Sequence, residues 1–423
     1  MKNSSRFFFL LALPAAALAE NWPAWRGANG DGLTTESKLP LHWSATENVK
    51  WKTALPEPGN STPIVWGDRV FITQAIGDQR LVIAFSRKDG KELWRGGPRG
   101  VAKEPTHATN PYCSASPVTD GERVIAWFGS AGLWCFDVAG KELWKRELGE
   151  QRHEWGYAAS PVIHGDLCFL NFGPGERTFL LAVDKRTGRD VWRTDIPKIE
   201  VTMPRTDGFG AKSDGAVGSW SVPLPIVAAG REELVVSYPE QVQAFDPKTG
   251  KALWHCRGLN PLIYTSPVFG DGVLVAMGGY GGSTLAVKPG GSGDVTDTHR
   301  LWQKPRDQQR IGSGVVKDGR FYILNTPGVA QCLDLKTGDV VWQERLPSTG
   351  AKGESWSSMV LSGERIYVLN QNSDTFVLKA APKYETPIVN SLGDGLTNGS
   401  LAVSDGELFI RTHKHLWCIA TGK

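Results

Sequence analysis

The sequence has almost no excess charge: 47 lysines and arginines face 44 aspartates and glutamates, a net of +3. Such a balance leaves no electrostatic footprint for nucleic acid or for an anionic membrane. Long apolar runs are missing after the first twenty residues, so no membrane-spanning helix is predicted. A helical period of apolar residues is missing too, which sets aside the helical fold classes. The six cysteines include no adjacent pair and no C-x-x-C-H haem signature. Neither a phosphate-binding G-x-x-x-x-G-K-[ST] nor a nucleophile elbow G-x-S-x-G occurs. What is plentiful is glycine (49), proline (26) and, above all, tryptophan (17) in 423 residues. With 40% hydrophobic residues the chain is no disordered tail, so glycine and proline read as turns.

The opening residues read as a signal peptide. Lys2 and Arg6 supply a positive start, Phe7 to Leu18 an apolar stretch broken by Pro14, and Ala17-Leu18-Ala19 the small-residue cleavage site. Cleavage after Ala19 is expected, with export to the periplasm or beyond. No lipobox cysteine stands there, so no lipid anchor is expected. The predicted division is a signal peptide over 1–19, a lead-in over 20–47 and a single domain over 48–423.

That domain is read from a repeat. Asp89-Gly90-Lys91-Glu92-Leu93-Trp94 returns as Ala139-Gly140-Lys141-Glu142-Leu143-Trp144, then as Thr187-Gly188…Trp192, Thr249-Gly250…Trp254 and Thr337-Gly338…Trp342. Glycine stands four residues before tryptophan each time. A small residue, an apolar one and an acid precede the turn, as in Ala182-Val183-Asp184 and Cys332-Leu333-Asp334. Each unit opens on a short strand such as Ser116-Pro117-Val118 or Ser160-Pro161-Val162. Four short strands in about 50 residues is the signature of a β-propeller blade. Openings near Ser61, Ser116, Ser160, Trp220, Ser266, Gly312, Trp356 and Gly399 predict eight blades. Seven is the fallback, because the unit at 355–392 has lost its repeat tryptophan, the one that follows the turn. The last unit stops at Thr421-Gly422-Lys423 without its fourth strand, and Val49 to Leu55 reads as that strand. The N-terminal strand is therefore expected to complete the last blade and close the ring, leaving no open sheet edge. Cys135, Cys332 and Cys418 occupy the place of Ala182, Ala244 and Ala286, a small packing position in separate blades. Cys113, Cys168 and Cys256 are assigned to strands, and no disulfide framework is expected.

The pattern Ala-x-Asp-x-x-Thr-Gly-x-x-x-Trp, clearest at Ala182…Trp192 and Ala244…Trp254, resembles the tryptophan-docking repeat of pyrroloquinoline quinone (PQQ)-like propellers. That family includes quinoprotein alcohol dehydrogenases and the assembly lipoprotein BamB. The opening Trp22-Pro23-Ala24-Trp25-Arg26-Gly27 is similar to the lead-in of exported BamB-like propellers. The resemblance covers nearly the whole mature chain and implies the fold. It divides on function: alcohol-oxidising members carry a vicinal cysteine pair that this sequence lacks, and the lipobox of the assembly lipoprotein is missing too.

Strand direction alternates within a blade, so the inter-blade loops share one face with the turns between second and third strands. The Thr-Gly-Lys turns fall on the other face and are structural. The inter-blade loops carry the candidate ligand-binding residues His107, Asn110, His153, Trp155, Tyr157, Arg205, Trp220, Tyr264, Arg310, Trp356 and Asn398. Aromatic rings there offer stacking surfaces, and arginine or histidine offers donors; a ring set that simply plugs the channel is the competing reading. The long connector 197–217 with Arg205 to Lys212, and the glycine-rich Gly278 to Gly282, lie on the same face. No metal site is assigned, since His413-Lys414-His415 falls on a turn with no third ligand. A calcium site would draw on Glu154, Asp207 and Asn398.

Two functions remain open. One is a non-catalytic exported propeller, expected to be monomeric, that binds an envelope protein, a peptide or a glycan on the channel face. The alternative is a PQQ-dependent oxidoreductase acting on an alcohol or sugar, with calcium, with Arg205 or Arg310 at a quinone carbonyl and Asp207 as the base. A smaller weight falls on a hydrolase or lyase using His107 and His153.

Overall fold

In the computed structural model the described residues are 20–197, 217–350 and 353–422. The predicted signal peptide, Arg205 and Asp207 lie outside them.

Eight four-stranded antiparallel sheets form eight blades. Blade 1 runs Ile64–Trp66, Arg69–Ile76, Gln79–Ser86 and Glu92–Gly96, from the channel outward. The inner strands are short, as in Val118–Thr119 and Val162–His164, and the second and third strands are buried on both sides. Among the described residues the helical content is one α-helical turn, Thr296–His299, and one 3-10 turn, Gly129–Ala131. Blade 8 is made of Ala402–Ser404, Glu407–Arg411, His415–Ala420 and the N-terminal strand Val49–Ala54, which pairs antiparallel with Trp51 opposite Cys418. The ring thus closes by joining the two ends of the chain. Blade 7, with Ile388–Ser391 as its fourth strand, keeps its sheet without a tryptophan, so the count is eight.

The glycine-to-tryptophan spacing has a physical cause. Six of the seven tryptophans lie over the turn of the next blade, while Trp254 donates to Glu233 Oε2 of its own blade at 2.9 Å. The indole Nε1 of Trp94 donates to Val138 O at 3.0 Å, Trp144 to Lys185 O at 3.1 Å, Trp192 to Pro247 O at 2.9 Å, and Trp302 to Leu335 O at 3.0 Å. Trp51 donates to Arg87 O at 2.8 Å across the closure between blades 8 and 1. The turn glycine has to be glycine twice over: Gly250 sits at φ +70°, and a Cβ there would fall 2.4 Å from the Trp192 ring. Opposite each tryptophan on the third strand stands Ala84, Cys135, Ala182, Ala244, Ala286, Cys332 or Cys418. All six cysteines are unpaired and buried. Burial pushes the Cys113 and Cys135 thiols up to about 12, which makes them inert packing groups. Cys113 is not on a strand as assigned. It takes φ +61° in the connector entering blade 2.

The lead-in is part of the ring rather than an arm beside it. Trp22 bridges Val65 of blade 1, and the Thr119 N–H of blade 2 donates to Pro23 O. The chain then crosses the channel. Arg26, fully buried, donates to Ser313 O and Gly314 O of blade 6 at 3.0 and 2.7 Å, and to Gly30 O and Asp31 O of its own loop. Leu33–Thr34 adds to the inner strand Val360–Ser362 of blade 7 as a parallel neighbour. Glu36 then caps the Asp405 and Gly406 N–H groups of blade 8. At the seam where the docking tryptophan is missing, Trp43 packs into the core and its backbone N–H donates to Asn390 Oδ1 at 2.9 Å.

Candidate functional site

The inner strands all start at the inter-blade face, and seven of the eight starts carry a small hydroxyl residue. The N–H of Thr62 donates to Ser116 Oγ, Ser116 to Ser160, Val222 to Ser266, Ser266 to Ser313, Ser313 to Ser358, Ser358 to Ser400, and Ser400 to Thr62 Oγ1, at 2.8–3.1 Å. A girdle of side-chain-to-backbone bonds therefore stitches blade to blade around the channel, broken only where blade 4 carries Val222. Of the unit openings read from the sequence, Ser116, Ser160 and Ser266 are members of this girdle, and in the other blades the girdle position stands one or two residues past the opening.

Above the girdle is a cavity of about 490 Å³. Trp25 from the lead-in lines it, together with six girdle residues: Thr62, Ser116, Ser160, Ser266, Ser358 and Ser400. Because the lead-in crosses the channel below, the site is a cup rather than a tunnel. Its walls differ. Blades 3 to 5 contribute Trp155, Trp220, Tyr264 and Tyr280. Trp155 stacks on Trp220 at 6.1 Å and 22°, Tyr264 packs against Trp220 at 5.1 Å, and Tyr280 meets Tyr264 edge-on at 5.4 Å. Trp220 is fixed by its Nε1 donating to Gly156 O at 3.0 Å.

The wall from blades 8, 1 and 2 is polar, with Asn398, Asn60, His107, Thr109 and Asn110. Asn60 and Asn398 both donate to Thr109 O, at 2.9 and 3.1 Å. Asn110 donates to Trp155 O at 2.6 Å, tying the two walls together. His107 is exposed, with Nδ1 2.7 Å from Thr109 Oγ1. Trp356, Ile311 and Glu354 close the rim from the blade 5–7 side. Among the described residues, Glu354 is the lining carboxylate and no lysine or arginine lines the cup.

Of the candidate residues, His107, Asn110, Trp155, Trp220, Tyr264, Trp356 and Asn398 line this cup. The other described candidates are placed elsewhere. Tyr157 lies beneath, 4% exposed, with its ring 4.7 Å from Trp127, and burial raises its hydroxyl well above the ordinary value. His153 stands behind the aromatic wall, edge-on to Trp220 at 5.0 Å, and faces a separate cavity with Arg152 and Glu154. His107 and His153 therefore do not share the cup. Arg310 is buried between blades 5 and 6, where Nε donates to Asn325 Oδ1 at 2.7 Å and Nη2 to Asp307 Oδ2 and Gln331 Oε1 at 2.9 Å; Nη1 bonds Thr284 Oγ1. Burial pulls its pKa down, and all its donors serve the blade seam rather than a quinone carbonyl. His413 and His415 bond Asn60 and Asp394. No cluster of three histidine, cysteine, aspartate or glutamate side chains with metal-binding geometry occurs among the described residues. Sequence reasoning missed Trp25, Asn60 and Glu354. The first was read as lead-in, and the other two stand one or two residues from unit openings that were recognised.

An eight-bladed propeller with docked tryptophans and a channel-face cup defines a PQQ-like repeat protein. A family model described as outer membrane protein assembly factor BamB matches residues 34–175 and 176–422, and the chain belongs to that family. Among curated relatives, a polyvinylalcohol dehydrogenase from Pseudomonas sp is 26% identical over 383 residues, which is 82% of this chain and 55% of the relative. BamB of Yersinia pestis is 21% identical over 64% of each chain. The chain thus spans little more than half to two thirds of these relatives. In solved structures, quinohemoprotein alcohol dehydrogenase from Comamonas testosteroni matches with TM-score 0.68 at 12% identity, covering 96% of this chain and 81% of that one. BamB from Moraxella catarrhalis matches with TM-score 0.55 at 16% identity, covering 82% and 92%. These likenesses share the fold. No helix among the described residues is long and apolar enough to cross a membrane.

Proposed function

We propose that the protein is an exported binding propeller, and that it holds a ligand or partner segment in the channel-face cup without carrying out redox chemistry. The observation that supports this most is the donor set. The cup offers rings, amides, hydroxyls, one imidazole and one carboxylate, and among the described residues no lysine or arginine lines it. PQQ is a tricarboxylate quinone, and a site for it needs positive charge or a metal to offset burial of those carboxylates. The described lining does not fit that group. Membership of a family described as outer membrane assembly factors supports an envelope partner for the same face. The leader over 1–19 supports export after cleavage at Ala19.

The second reading, a PQQ-dependent oxidoreductase, is favoured by the likeness to polyvinylalcohol dehydrogenase. It rests on Arg205 and Asp207, outside the described residues, bringing charge to the cup. Titrating the mature protein with PQQ, with and without calcium, while following tryptophan fluorescence, separates the two. The binding reading expects no saturable quenching and no dye-linked alcohol oxidation. Calcium-dependent quenching that Trp356→Ala abolishes, together with turnover, would overturn it.

A further inference from the structure

The two walls and the floor of the cup, taken together, specify a ligand more closely than binding alone does. The girdle hydroxyls that line the floor, such as Ser116, Ser160 and Ser400, each accept a backbone N–H from the preceding blade. Acceptance leaves the hydroxyl proton unspent, and none of the six lining hydroxyls donates to another described residue. Trp356 Nε1, on the rim, is likewise buried without a hydrogen-bond partner among the described residues. The floor is therefore a ring of neutral donors around the Trp25 ring. The blade 3–5 wall offers flat apolar faces, and the opposite wall offers amides already fixed by their own bonds, so little ordering is lost on binding. Glu354 adds an acceptor at the rim and disfavours an anion.

A ligand that satisfies this surface must present a C–H face to stack on aromatic rings and oxygens around its edge to take many neutral donors. It should also carry no net negative charge, because the described lining holds no lysine or arginine to compensate that charge once buried, and His107 stands at the exposed side of the cup. We infer that the cup is a subsite for a neutral saccharide unit, stacked on Trp155 and Tyr264 with its oxygens toward the serine girdle and Asn398. This inference rests on the binding reading above and names its ligand class. A cavity of about 490 Å³ falls within the range of small-ligand sites.

The test is calorimetric titration of the mature full-length protein with maltotriose, cellotriose and triacetylchitotriose, with trigalacturonate as the anionic counterpart. Saturable binding of at least one neutral probe is expected, weaker or absent binding of trigalacturonate, and a loss of about tenfold or more in affinity for Trp155→Ala. Val227→Ala, exposed on the opposite side of blade 4, should bind as the parent does. Unchanged melting of Trp155→Ala shows that the loss is local. No neutral probe bound at millimolar concentration, or tighter binding of trigalacturonate, overturns the inference. If a peptide drawn from an envelope protein binds in a Trp155-dependent way while the sugars do not, the saccharide assignment falls and the binding reading stands. If calcium-dependent PQQ quenching appears instead, the binding reading itself falls.

Discussion

The two faces of the ring are built by opposite rules. On the docking face the same neighbours recur at five of the eight seams: an indole, a turn carbonyl 2.8–3.1 Å away, and a glycine whose Cβ would strike the ring. On the channel face successive blades contribute different groups at matching places, aromatic from blades 3 to 5 and amide from blades 8, 1 and 2. Repetition marks what holds the blades together, and departure from repetition marks what the ring presents to a ligand. Two tryptophans make the contrast testable. Trp192→Ala removes a buried ring and leaves Pro247 O without its donor. A loss of about 3 kcal/mol or more is expected in chemical denaturation. Trp155→Ala, half-buried on the cup wall, is expected to cost less than about 1 kcal/mol. Equal losses would break the distinction.

The lead-in joins the faces, since it seals the channel from one side and supplies Trp25 to the other. Its anchor is Arg26, whose pKa burial lowers to about 10, with the Asp31 charge opposing that shift. Arg26→Met removes the guanidinium from four carbonyl oxygens, two of them on blade 6, of which Ser313 O keeps the Met359 N–H. A loss of about 2 kcal/mol is expected, together with faster proteolysis ahead of Val49. Proteolysis unchanged from the parent would show that the lead-in is held elsewhere.

Blade 8, made from both chain ends, should respond to acid. Asp394 is desolvated, which raises its pKa, but hydrogen bonds from Thr412, Trp417 and His415 outweigh this and hold it below the usual carboxylate value. Lys52 of the N-terminal strand lies 3.6 Å from the same carboxylate. A depressed folded pKa contributes stability that is complete above the unfolded value and is lost as pH falls through the folded one. Stability should therefore decline below about pH 4. Asp394→Asn should flatten that decline and cost about 1 kcal/mol at neutral pH. An acid limb identical to the parent's would remove Asp394 from the closure.

The docking face was legible because both partners of each contact leave a mark at fixed spacing, glycine and then tryptophan. That was enough for eight blades, the closure by Val49–Ala54 and the packing role of Cys135, Cys332 and Cys418. The cup was legible only as a set of loops. An arginine two residues before a unit opening looks the same whether it points into the channel or between blades, so Arg310 was misplaced. Trp25 meets residues far along the chain, and no period announces a contact between a lead-in and an axis. Tyr157 follows Trp155 by two residues, yet local sequence does not say which of the two rings turns inward.

The smallest expected effect concerns the one gap in the girdle. Ring position 222 carries valine, so no side-chain oxygen meets the Ser160 N–H, and no hydrogen bond takes up that group among the described residues. Val222→Ser restores the hydroxyl that the neighbouring blades carry at this place. The new bond would contribute about 1 kcal/mol. Against it stands the loss of a valine side chain that is 8% exposed and lines the cup beside Trp220 and Trp25, a transfer cost of similar size. The melting temperature is therefore expected to move little, and exchange of the Ser160 amide proton is expected to slow. If the girdle is only a stitch between blades, exchange is all that changes. If its hydroxyls also serve the ligand, as the donor count on the floor implies, the same substitution should tighten binding of the neutral trisaccharide while leaving every docked tryptophan where it was.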